Sequence, residues 1–181
     1  MTDRGHVLLR VAREALEAAF GGPPAPAHDE PWLQEPRAVF VTLEKHGELR
    51  GCVGQLEPRL SLLEAVRDAA RGAAFRDGRF PPLAPEELPE VQLEVSVLSP
   101  LERLEVASER EALASLRPGL DGLVLSNGGR RGVFIPEVWK QLPDPADFLA
   151  QLKRKAGLPP LALPGTRYER FTAERWSEGA S

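Results

Sequence analysis

Residues 37–56 read RAVFVTLEKHGELRGCVGQL. The first eight alternate apolar and polar as a strand does, KHGE supplies a turn, and LRGCVGQL returns, so Arg37–Leu56 is predicted to form a β-hairpin. A second hairpin signal, GLVLSNGGRRGVFI at 122–135, places NGG at its turn. Hairpins interspersed with helices, without a regular βαβ alternation, indicate an α+β fold: a largely antiparallel sheet flanked by helices.

Working outward, Gly5–Phe20 carries an apolar stripe of Val7, Leu8, Val11, Ala15, Ala18 and Ala19 and reads as a helix ending at Gly21-Gly22. GGPPAPAHDEP then makes a stiff connector. Ser61 and Glu64 have capping-box spacing and open a helix through Phe75. EVQLEVSVLSP is a strand with Val91, Leu93, Val95 and Val97 on one face, and LERLEV is a further short extended piece. Ser108 and Glu111 open a short helix. Asp144 and Pro145 begin another that ends at Gly157, with Lys153, Arg154 and Lys155 in its last turn. TRYERFTAERW is predicted as one last strand. The second hairpin and its flanking helices, about 108–157, suggest a smaller lobe within a single domain of 1–181.

The composition is that of an ordinary globular chain, with 42% hydrophobic and 28% charged residues. A net charge of −4 argues against a protein whose main partner is a nucleic-acid backbone. One cysteine leaves no internal disulfide to form. The first helix is interrupted by Arg10, Arg13, Glu14 and Glu17 and so is amphipathic, not a signal peptide. No run is long and apolar enough to cross a bilayer. The expected location is cytoplasmic, with neither a nucleic-acid nor a membrane partner.

The lone thiol, Cys52, lies between Gly51 and the pair Val53-Gly54. On an undisturbed strand Arg50, Cys52 and Gly54 share one face, with the Arg50 and Cys52 Cβ atoms about 7 Å apart. A guanidinium at that reach favours the thiolate, and glycines in a strand often mark a close approach by a ligand or another backbone. A buried free cysteine packing as a small hydrophobe is the competing reading. The second cluster is FRDGRFPPL, where Arg76, Asp77 and Arg79 crowd a loop between Phe75 and Phe80. Two arginines suit a carboxylate or phosphate, and Asp77 suits a base or an orienting group. A solvated loop with a local Asp–Arg pair is the alternative.

LRGCVG, AAFRDGRFPPL, ELPEVQLEVSVLSP, DGLVL, RRGVFIPEVW and FLAQLKRKAGLP, in that order, resemble the AMMECR family, whose bacterial members are also called AmmeMemoRadiSam system protein A. The resemblance covers about Arg37 to Trp176. It implies an α+β fold whose larger and smaller lobes leave a cleft between them, and an association with a Memo-like protein and a radical SAM protein. It supplies no reaction. The family's motifs fall on Arg50, Gly51, Cys52 and Gly54 and on Arg76, Asp77, Arg79 and Phe80. Val53 stands where isoleucine is common, and Gly78 where proline or serine is usual. The chain between Gly157 and Tyr168 is shorter than in many relatives, and nothing is carried over there.

Two functional readings follow. The first is an enzyme or enzyme subunit acting on a small anionic or polar molecule. Cys52 and Asp77 are then its catalytic groups, and Arg50, Gly51, Gly54, Arg76, Arg79 and Phe80 its substrate-binding residues. The second is a non-catalytic binding module in which the same site docks a peptide or partner and Cys52 is packing. His6, His28 and His46 share no ligand spacing, so no metal is expected, and no other cofactor is indicated. His46 in the hairpin turn is a remote base for Cys52. SNGGRRG lacks the context of a phosphate loop.

Overall fold

The computed structural model describes residues 3–179. They form two compact units, one of residues 3–98 with 174–179 and one of residues 99–173. In the first unit, helix α1 (Asp3–Ala19) buries Leu8, Val11, Ala12, Ala15 and Leu16. Helix α2 (Leu62–Phe75) starts where expected: the Ser61 hydroxyl accepts the Glu64 N–H at 3.3 Å. Its buried face is rich in alanine (65, 69, 70, 73 and 74), which lets neighbouring backbones come close.

Both helices pack on a four-stranded sheet ordered β2-β1-β3-β8. Its strands are β1 (Val39–Lys45), β2 (Glu48–Gln55), β3 (Val91–Leu98) and β8 (Ala173–Ser177). Val39, Val41 and Leu43 of β1 and Val91, Leu93 and Val95 of β3 are buried in a core shared with α1 and α2. The period-2 pattern read from the sequence is the physical cause: one face of each strand is apolar and is covered.

The β1–β2 hairpin turns at His46 (φ 53°) and Gly47 (φ 80°). Two successive positive φ angles fit the right-handed twist of the strands it joins. Pairing then slips by one residue. Glu44 faces Leu49 but Leu43 faces Gly51, so Arg50 is the extra residue of a β-bulge. Strict alternation along β2 is therefore interrupted at Arg50.

The second unit contains β4 (Glu102–Arg103), α3 (Glu109–Ser115), β5 (Gly122–Asn127), β6 (Arg130–Phe134), α4 (Pro145–Lys155) and β7 (Arg167–Phe171). Its sheet is ordered β4-β7-β5-β6. Phe148 and Trp139 stack at 3.8 Å in a core with Leu123, Leu125, Leu149, Leu152 and Tyr168. Trp139 satisfies its indole N–H on the Asp121 carbonyl at 2.6 Å. The segment predicted as a single last strand is two strands in two sheets. The break falls at Thr172, whose N–H and C=O pair with Ser99 Oγ and Ser99 N–H at 2.8 and 2.9 Å. Two strand-like runs separated by one residue look continuous in a sequence, because periodicity does not say which sheet a strand joins. No helix among the described residues is long and apolar enough to cross a membrane.

Candidate functional site

The glycines around Cys52 are required by the chain's own packing. A Cβ on Gly51 would lie 2.1 Å from the Ala73 carbonyl oxygen, so β2 runs directly against the backbone of α2. A Cβ on Gly54 would lie 2.2 Å from the Val39 carbonyl and 2.5 Å from the Phe40 ring. The room that the sequence suggested for a ligand is filled on both sides by this chain.

Cys52 itself is half-buried opposite Thr42, whose hydroxyl donates to Sγ at 3.4 Å. Its backbone N–H donates to Asp77 Oδ2 at 2.9 Å, so the loop after α2 is tied to strand β2. Asp77 also accepts from the Arg79 N–H (3.1 Å), Nε (3.0 Å) and Nη2 (2.7 Å). The Arg79 guanidinium first, then these backbone donors, hold the Asp77 carboxyl well below the usual carboxylate range. With a side chain 6% exposed and four donors, Asp77 stays an anion and positions the loop. It is not poised to take a proton.

Burial pushes the Cys52 thiol up. The Thr42 hydrogen bond and the Arg79 charge pull it down, while Asp77 and Glu94 push it up again. Arg50, expected to lower this pKa, is occupied elsewhere. Its Nε and Nη2 donate to the two oxygens of Glu87 at 3.0 and 2.9 Å. Glu87 also accepts the Ala84 N–H at 2.9 Å and lies 3.3 Å from Lys45 Nζ. Arg50 foremost, then the Ala84 N–H, lower its pKa to about 2.

The fold thus gathers Cys52, Asp77, Arg79 and Phe80 at one place. Two guanidinium carbons lie near the Phe80 ring centroid, that of Arg79 at 5.5 Å and that of Arg50 at 6.0 Å. Arg79 keeps 59% of its side chain exposed. Arg76 turns away to α2, donating to the Asp68 carboxylate at 2.8 Å and carbonyl at 3.0 Å. His46 faces Glu90 at 3.0 Å and is no base for the thiol.

Sequence reasoning did not pick out Thr42, Glu87 or Glu94. Thr42 pairs with Cys52 on one side and Glu94 on the other, and Ser177 donates to Glu94 at 3.0 Å, so a polar row crosses the sheet at the level of the thiol. The period-2 pattern of β1 puts Thr42 opposite the core; only strand pairing puts it beside Cys52. Among the described residues, no group of three His, Cys, Asp or Glu side chains is placed to hold a metal ion.

Residues 9–176 match the AMMECR1 family model. A protein from Methanothermobacter thermautotrophicus is 42% identical over 97% of this chain and 95% of its own length. One from Methanocaldococcus jannaschii is 37% identical over 97% and 90%. The crystal structure of an uncharacterized protein from Pyrococcus horikoshii superposes with a TM-score of 0.86 at 37% identity, covering 97% of this chain and 91% of that one. The chain belongs to the AMMECR1 family.

Proposed function

Taking AMMECR1 membership as the premise, we propose that the surface formed by Arg79 and Phe80, with Cys52 packed beside it, recognises a small anionic or polar molecule, or a segment of a partner carrying the same chemistry. The site binds and does no chemistry by itself. The observation that carries this reading is the state of Asp77: its carboxylate is consumed by the Cys52 and Arg79 donors, leaving a thiol whose pKa is raised by burial without the base assigned to it. Arg79 keeps Nη1 uncommitted to Asp77 on a largely exposed side chain beside an aromatic face, an arrangement suited to a carboxylate or phosphate. The Memo-like and radical SAM proteins that the family resemblance implies are the proposed protein partners.

The second reading makes Cys52 a nucleophile or redox thiol. The observation in its favour is that Arg79 acts on the thiol and lowers its pKa. The rate of alkylation of this single thiol against pH, native and unfolded, separates the two. Binding predicts a native rate that stays low until well above the ordinary thiol pKa of about 8.5 and a large increase on unfolding. A native rate that remains high below about pH 8 would overturn the binding reading and establish a stabilised thiolate. Under the binding reading Cys52→Ala leaves ligand affinity within about twofold, a change of only a few tenths of a kcal/mol.

A further inference from the structure

The segment joining α4 to β7 reads LPPLALPG over residues 158–165. Its side chains are apolar, yet Pro159, Pro160, Leu161, Ala162 and Pro164 are all exposed, and Leu161 reaches 72%. A run of exposed apolar side chains is the informative exception on a protein surface.

The backbone of the same segment is supplied with partners from beneath. Lys153, itself only 5% exposed, donates to the Pro160 and Leu161 carbonyls at 3.2 and 3.5 Å and pairs with Glu109. Thr166 donates to the Leu163 carbonyl at 2.7 Å, Asn127 to the Pro164 carbonyl at 3.1 Å, and Arg130 to the Gly157 carbonyl. The prolines at 159, 160 and 164 have no N–H to satisfy. Leu158 anchors the base of the segment in the core of the second unit. Four of the eight carbonyls of 158–165, those of Pro160, Leu161, Leu163 and Pro164, are thus already paired, which lowers the cost of leaving water. The loop is held rigid with its apolar side chains outward.

The surroundings are basic. The exposed charged side chains of 122–136 and 148–168 are Arg130, Arg131, Arg154, Lys155 and Arg167, while the buried Lys153 is neutralised by Glu109. Strand pairing sets Arg131 and Arg167 on either side of Ser126, at the end of the sheet where Asn127 meets the loop. Arg154 and Lys155 precede the loop in the last turn of α4 and are exposed.

We propose that residues 158–165 dock, Leu161 foremost, into an apolar groove of a partner protein whose rim carries Asp and Glu. The occupant is a protein and not lipid for two reasons. The segment has no Trp, Tyr or Phe to sit at a bilayer interface. Its three prolines lower the entropy lost on docking, an advantage against a structured groove and none against fluid lipid. A second copy presenting the same end is excluded because like charges would meet. Docking of this loop does not depend on the Cys52 site.

The test uses the full-length chain with a photo-crosslinking residue, p-benzoylphenylalanine, replacing Leu161, irradiated in an extract of its source cells. The same probe at Leu120, also exposed in this unit (47%), is the control. A discrete adduct is expected from position 161 and not from 120. The captured protein, once purified, is expected to bind the wild-type chain, with affinity lowered about tenfold or more by Leu161→Glu. It is also expected to bind more weakly and with less salt dependence to the Arg154→Glu/Arg167→Glu variant. Both variants alter exposed side chains, and an unchanged melting temperature confirms that they fold. Absence of a discrete adduct, the same adduct from position 120, or purified binding indifferent to both variants overturns the proposal. So does sedimentation with vesicles of phosphatidylglycerol and phosphatidylcholine that Leu161→Glu abolishes, which would assign the loop to a lipid surface.

Discussion

Two glycines within the motif region respond oppositely to the same substitution. A methyl group on Gly51 would overlap the Ala73 carbonyl, and neither β2 nor α2 can retreat without opening the core. Gly51→Ala is expected to cost about 3 kcal/mol or more, seen as a lowered urea midpoint. Gly78 has no atom within 4 Å of a built Cβ and no positive φ. Gly78→Ala is expected to be neutral or to stabilise by a few tenths up to about 1 kcal/mol, by restricting the unfolded chain. The two were indistinguishable as letters. Cys52, Asp77, Arg79 and Phe80 were legible because short motifs carry them, and the fold brings them together. Thr42 and Glu94, in the polar row beside Cys52, and Glu87, which holds Arg50, were not, because each contact crosses between strands or loops distant in sequence.

At the scale of elements, local signals served well wherever the interaction is local. Capping depends on residues two or three apart, and both the Ser61 and Ser108 caps form as their spacing indicates. Asp144 caps α4 by accepting from Ala146 N at 2.8 Å and Asp147 N at 3.2 Å. Asp144→Ala is expected to destabilise by about 1 kcal/mol, within the usual range for such caps, and to speed amide exchange in the first turn of α4 before the rest of the helix. The bulge at Arg50 and the division of the last strand at Thr172 left no local trace. A bulge is a property of two strands in register, and sheet membership is a property of neighbours.

Across the whole molecule the charge pairs set an acid limit on stability. Asp77 and Glu87 have folded-state pKa values below those of the unfolded chain, so the unfolded chain binds more protons on the acid side. Their contribution is complete above the ordinary carboxylate range near about pH 4. It is lost as pH falls through the folded values, about 2 for Glu87 and lower still for Asp77. Wild-type urea midpoints should therefore fall steeply between about pH 4.5 and pH 2. The Asp77→Asn/Glu87→Gln variant should be less stable at about pH 6 and show a flatter decline. An equal slope in both proteins would remove these pairs as the cause.

The α+β class, the two hairpins, the capped helices and the family are all readable from the order of residues. Each of these rests on short-range periodicity, turn chemistry or contiguous motifs, and such signals survive without knowledge of the fold. Tertiary structure alone decided that Arg50 serves Glu87 and not the thiol, that the glycines beside Cys52 accommodate a helix and a phenylalanine, and that Asp77 is a fixed anion. It also decided that a buried lysine supports a proline-rich loop from below. The physical reason is common to all of them: desolvation and hydrogen bonding act over a few ångströms in space, whatever the separation along the chain.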